Sequence, residues 1–155
     1  MWKELPVCDR VIYAFTLSPE EITACYEHGT PTLAARVASV KLAGKMGHPA
    51  RLCFDPMIYY PHYKEVYRRM LGEVFAQIDT DHIVDVSMGS FRISKDYLKN
   101  MRRHDVLSPV VQFPYENIDG VYQYPDKLRQ EMEGFLHKEL CKYVEEEHIF
   151  CWDQI

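Results

Sequence analysis

Apolar residues along this chain fall into two kinds of run, short near-continuous stretches and longer stretches with helical spacing, and the two kinds alternate. Arg10 to Leu17 is rich in Val, Ile, Tyr and Phe and stops at Ser18-Pro19, which predicts a mostly buried strand. Ser18 as N-cap with Pro19 at the first helical position then predicts a short helical turn through Glu20-Glu21. Thr30-Pro31 repeats that start signal. Leu33, Val37, Val40 and Leu42 follow at spacings that suit a helix buried on one face and ending at Gly47-His48-Pro49. Arg51 to Asp55 predicts a short strand closed by Pro56. A helix from about His62 to Asp79 carries Val66, Tyr67, Met70, Leu71, Val74, Phe75 and Ile78 as its stripe.

His82 to Val86 predicts a third strand, and Ser94 caps a third helix with Tyr97, Leu98 and Met101 facing inward. The pattern then changes. Val110-Val111-Gln112-Phe113 and Val121-Tyr122-Gln123-Tyr124 flank the turn-rich Glu116-Asn117-Ile118-Asp119-Gly120, which predicts a β-hairpin. A last amphipathic helix from Asp126 to about Glu146 uses Leu128, Met132, Phe135, Leu136, Leu140 and Tyr143, and His148 to Trp152 closes as a strand. The fold class is therefore α/β. Parallel strand-helix units form an open layered sheet or part of a β/α (TIM-like) barrel, followed by a C-terminal β-hairpin, helix and strand. No repeat, low-complexity stretch or Pro/Gly/Ser-rich linker divides the 155 residues, so residues 1–155 are expected to form a single domain. Three such units leave two bare apolar sheet edges, which another segment or another copy of the chain is expected to cover.

Composition narrows this only a little. A hydrophobic content of 47% supports a substantial core, and a net charge of -5 gives no overall attraction to phosphates. Five widely spaced cysteines (Cys8, Cys25, Cys53, Cys141, Cys151) read as free thiols of a reducing compartment. The opening Met1-Trp2-Lys3-Glu4-Leu5 lacks an apolar core, and no run approaches the roughly 18 apolar residues of a membrane span. A cytoplasmic protein without membrane contact is expected.

In parallel α/β folds the loops and free helix N-termini gather at the carboxyl ends of the strands, so ligand chemistry is expected there. The first strand ends in Thr16-Leu17-Ser18, the second in Asp55-Pro56, and the third in Ser87-Met88-Gly89-Ser90 with Arg92 just beyond. Two readings stay open: Ser18 and Ser94 cap helices while Asp55, Ser87 and Arg92 serve loops and solvent, or the rim holds a small polar ligand. For a metal, His137 and Cys141 are spaced i,i+4 with His148 and Cys151 close behind, a donor set that suits zinc. The spacing matches no familiar finger, and Cys141 beside Leu140 reads more simply as a small buried hydrophobe. A glycine-rich phosphate loop, a Gly-x-Ser-x-Gly elbow, a His-Glu-x-x-His pair and an iron-sulfur cysteine triplet are all absent from the sequence. Phe113, Tyr115, Tyr122 and Tyr124 could stack on bases, but Glu116 and Asp119 in the intervening turn favour core packing or partner contact.

Taken as a series, Phe15-Thr16-Leu17-Ser18-Pro19, His28-Gly29-Thr30, Gly47-His48-Pro49, Asp55-Pro56-Met57-Ile58-Tyr59-Tyr60, Phe91-Arg92 and Gly120-Val121-Tyr122-Gln123-Tyr124 resemble the C-terminal half of spore photoproduct lyase-type radical SAM proteins. The likeness runs from about Arg10 to Trp152 and rests on order and spacing. It implies a partial β/α barrel with S-adenosylmethionine across the strand ends. The family's 4Fe-4S cluster is bound by a Cys-x3-Cys-x2-Cys loop in the N-terminal half. Thr16 matches a hydroxyl residue near the bound S-adenosylmethionine, and Asp55 matches a strand end whose backbone approaches it. Ser18, Ser87 and Arg92 complete the expected cofactor rim, and Tyr115, Asn117, Tyr122 and Tyr124 the expected substrate-facing hairpin.

The departures carry their own implications. The cluster triplet and the family's hydrogen-donating cysteine belong to the half that this chain does not match, so these residues alone are not expected to cleave S-adenosylmethionine. A missing N-terminal half or a partner chain is expected to complete the barrel, with DNA as a substrate of the intact protein. Where the lyases carry an Arg-Tyr pair in the hairpin, this chain has Glu116-Asn117, and an acidic residue there repels phosphates. The alternative is a non-catalytic α/β binding or assembly domain that pairs through its open edges, including as a homo-oligomer.

Overall fold

A computed structural model describes residues 4–8, 10–27 and 29–151; His28 of the quoted series and Trp152, the expected end of the last strand, lie outside the described residues. Four strands, β1 (Tyr13–Thr16), β2 (Ala50–Met57), β3 (Ile83–Ser90) and β7 (Ile149–Cys151), form a fully parallel sheet in the order β1-β2-β3-β7. Helices α1 (Glu20–Tyr26) and α2 (Leu33–Lys45) connect β1 to β2, and α3 (Tyr63–Phe75) connects β2 to β3. The alternation of strand and helix is as expected; several boundaries are not.

Ser18 does not cap α1. Pro19 takes that position with an extended backbone, and its carbonyl accepts the amides of Ile22 and Thr23 at 3.0 and 2.9 Å. Thr32 rather than Thr30 starts α2, because its Oγ1 accepts the Ala35 amide at 3.2 Å, three residues on, while the Thr30 hydroxyl donates to Glu27 O. The end of α2 is as expected: Gly47 adopts a left-handed φ of 76° and the His48 amide returns to Ala43 O at 3.0 Å. β2 runs on through Pro56 to Met57, which is tolerated because the ladder to β3 is irregular there and asks no N–H of the proline. α3 stops at Phe75, short of Asp79, and its Val66, Tyr67, Met70, Leu71 and Val74 are buried as the stripe predicted.

The region after β3 departs most. Val110 to Phe113 is a turn segment, not a strand. The partners in the small antiparallel sheet are β4 (Arg92–Ser94), β6 (Val121–Gln123) and β5 (Glu116–Ile118), in the order β4-β6-β5. The hairpin turn is tightened to Asp119-Gly120, both at positive φ (51° and 86°), the geometry whose twist matches a two-residue connection. α4 (Lys95–His104) packs on this small sheet through Leu98, while Tyr97 (72% exposed) and Met101 (39%) face outward. The expectation that Tyr97 and Met101 face inward fails because α4 packs mainly on the small antiparallel sheet, through Leu98. The helix that covers β3 is α5 (Asp126–Leu140), which also packs on α3. It ends before Glu146; beyond it Tyr143 stacks on Phe75 with ring centroids 4.5 Å apart.

These helices cover one sheet face. Leu52 and Phe54 of β2 and Val86 and Met88 of β3 meet Leu71, Val74, Met132, Leu136 and Leu140, all of them buried. Each such side chain contributes on the order of 1.5–3 kcal/mol on burial. The intervening positions Arg51, Cys53 and Asp55 fall on the opposite face by strand alternation. Among the described residues no helix is long and apolar enough to cross a membrane.

Candidate ligand site at the strand ends

Parallel register places the uncovered face in rows. Thr16, Cys53 and Ser87 are neighbours across β1, β2 and β3, with Phe150 of β7 at the far edge. One row toward the strand starts, Arg51 faces Asp85, and the guanidinium clasps the carboxylate through two hydrogen bonds, from Nε to Oδ1 and from Nη2 to Oδ2. That pair holds the Arg51 charge firmly, raising its pKa. The Ser87 hydroxyl donates to Asp55 Oδ1 at 3.1 Å, which ties the second strand end to the third. The Cys53 thiol is pushed up, first by burial and then by the charge of Asp55, against a lowering hydrogen bond with Ser87. It is therefore a protonated thiol on a polar floor.

Beyond the strand ends this floor opens into a cleft of about 370 Å³ whose lining includes Asp55, Gly89, Ser90, Arg92, Gln123, Arg129 and Glu133. Glu133 reaches in from α5 and accepts both the amide (3.0 Å) and the hydroxyl (2.7 Å) of Ser90, so it pins the end of β3. Arg92 and Gln123 are register partners in the small sheet, which brings both to the cleft together. Asp55 and Arg92 thus line one cleft, and Ser87 is joined to it through its bond to Asp55. Thr16 lies on the same face two strands from Ser87, roughly 10 Å away at the usual strand spacing. Ser18 is buried.

The hairpin aromatics divide. Tyr115 and Tyr124 are buried, in a ring cluster with Phe113 and Phe91. Tyr115 Oη donates to Val110 O at 2.7 Å, and Tyr124 Oη accepts the Tyr59 amide at 2.9 Å. Burial raises both phenols above their ordinary value, Tyr115 the further. Their role is to seat the small sheet on the large one. Asn117 is exposed, with Oδ1 accepting the Gly120 amide at 3.1 Å, and Tyr122 is half-buried. Gln123, Arg129 and Glu133 are not among the residues expected from sequence; the first lies on a strand singled out only for its tyrosines, and the other two sit on the polar side of a helix.

Cys141 is exposed, not the small buried hydrophobe expected of it. His137 Nδ1 lies 3.8 Å from Cys141 Sγ and its Nε2 3.7 Å from Glu146, but His148 is beside Glu147 and Cys151 is in β7. No group of three or more ligating side chains gathers among the described residues.

No protein-family model matches the chain, and no curated protein matches its sequence. Solved structures do match. A cysteine-to-alanine variant of spore photoproduct lyase with dinucleoside spore photoproduct superposes with a TM-score of 0.76 at 14% identity, covering 90% of this chain and 44% of that one. A doubly substituted variant with bound AdoMet and dinucleoside spore photoproduct gives 0.75 at 14% identity, over 90% and 43%. A tyrosine-to-phenylalanine variant gives 0.73 with the same coverage. The chain therefore has the fold of part of a spore photoproduct lyase, as the sequence resemblance implied, and spans less than half the length of those proteins.

Proposed function

We propose that residues 1–155 form one domain that is the S-adenosylmethionine-side portion of a radical SAM-type barrel, completed by a cluster-bearing segment or partner chain and not catalytic alone. The observation that carries this reading is the polar sheet face on which Ser87 bonds to Asp55, ending in the cleft lined by Asp55 and Arg92, combined with a fold matched to AdoMet-bound spore photoproduct lyase. A cleft of about 370 Å³ with carboxylate, guanidinium, amide and hydroxyl groups suits a zwitterionic, ribose-bearing molecule. Thr16 extends the same face toward the open β1 edge. The described residues do not fit a 4Fe-4S cluster, because no three cysteines gather. In the completed protein Asn117 and Tyr122 face a DNA-derived substrate, with Tyr115 and Tyr124 supporting them from beneath.

Calorimetric titration with AdoMet tests the reading. Saturable binding that is lost in Asp55→Ala and weakened in Ser87→Ala supports it; absence of binding by the folded chain at millimolar AdoMet sinks it. The second reading, an assembly domain, is favoured by one observation, the half-exposed Phe150 on the outermost strand β7. A stable monodisperse oligomer in light scattering, without AdoMet binding, would establish it instead.

A further inference from the structure

At the opposite end of the sheet, where β2 and β3 begin, a second cleft of about 260 Å³ opens between α2 and the segment joining α3 to β3. Lys41 and Lys45 of α2 line it with His82, over a floor that includes Ala50 and Ile83. The two lysines are four residues apart on one helix face, a spacing at which like charges destabilise a helix. Neither forms an ion pair among the described residues, whereas Arg36 on the same helix pairs with Glu27 and all three cations of α3 pair with carboxylates. Lys45 lies in the last turn, where the helix dipole favours a cation; Lys41, a turn earlier, has no such reason to be there. Asp79 is the carboxylate among the lining residues, and its Oδ1 is committed to the Asp81 amide at 3.0 Å. Between the lysines, Gly44 leaves room for His82: a Cβ there would stand 3.2 Å from the imidazole Cδ2.

We propose that this cleft binds a small phosphomonoester, with its phosphoryl group among Lys41, Lys45 and His82 and its organic part on the apolar floor. Two uncompensated cations beside an imidazole match a dianion better than a single carboxylate. The volume, below that of ordinary drug-sized pockets, suits a small ligand. The site is independent of the strand-end reading, and AdoMet titration does not bear on it.

The test is titration of the whole chain with inorganic phosphate and with phenyl phosphate, following backbone amide resonances. Saturable shifts confined to residues 40–46 and 77–83, with phenyl phosphate the tighter ligand, are expected. The double variant Lys41→Gln/Lys45→Gln should bind roughly tenfold more weakly or worse. Gly44→Ala, which displaces His82 and removes no charge, should also weaken binding, while Lys99→Gln on α4 leaves it unchanged. Shifts that fail to saturate, that appear equally at Lys95 and Lys99, or that survive the double substitution overturn the proposal.

Discussion

The two faces of the parallel sheet are made from alternate residues of the same strands, yet they are built on different physical terms. On the helix side, Leu52, Phe54, Val86 and Met88 are at most 1% exposed and belong to the apolar core cluster. On the other side, Arg51 pairs with Asp85, and Ser87 is hydrogen-bonded to Asp55 and Cys53, with Thr16 beside Cys53 in the register. The first face gains its stability from removing apolar area from water and is indifferent to direction. The second is directional, with each polar group oriented by the next, and a face of that kind holds a polar ligand at little further cost in ordering.

The largest way to break the contrast is on the covered side. Phe54→Ala should cost about 3–5 kcal/mol in chemical denaturation, because its ring fills the space beside Phe75 and the surrounding helices cannot collapse onto the gap. Asp85→Ala should cost less, about 1–3 kcal/mol, by leaving Arg51 without its carboxylate on a face still open to water. Replacing both partners, Arg51→Met with Asp85→Leu, should recover most of that loss; a double variant no more stable than Asp85→Ala would show that the polar face is needed for folding.

A smaller effect marks the α3–α5 seam. Lys142 and then Arg68 hold the Glu139 carboxyl below its usual value, against the effect of its burial. A depressed folded pKa gives stability that is present above the unfolded carboxyl value of about 4.3 and is lost as pH falls through the folded value. Because both cations are half-exposed the effect is at most about 1 kcal/mol, and Glu139→Gln should flatten the denaturation midpoint over that acid range. Least of all in stability, but sharpest in locating the floor, is the Cys53 thiol. Iodoacetamide labelling read by mass spectrometry should modify exposed Cys25 and Cys141 first, with Cys53 following only above the ordinary thiol range.

Much of the covered face could be read from the chain. The α3 stripe and the β2 core residues follow from spacing alone, since burial on one side of a periodic element leaves its period in the sequence. The hairpin region could not be read in the same way. Val110-Val111 and Val121-Tyr122 are equally strand-like, and only the pairing of Arg92 to Ser94 with Val121 to Gln123 selects between them. Tyr97 and Met101 have helical spacing suited to burial, but both are exposed among the described residues. The rim residues Asp55, Ser87 and Arg92 were found because strand ends are marked by a change of pattern. Gln123, Arg129 and Glu133 had no such mark.

By itself, then, the order of hydrophobic and polar residues determined an alternating α/β chain and its parallel sheet, and marked Asp55 and Arg92, which the fold brings to one cleft. Those properties depend on local periodicity and on general rules of chain connection. Tertiary structure alone decided which polar groups meet: Arg51 with Asp85, Ser87 with Asp55, Glu133 with Ser90. Each of those contacts joins residues more than thirty positions apart. Their distances are set by strand register and helix docking, quantities that no short stretch of sequence encodes.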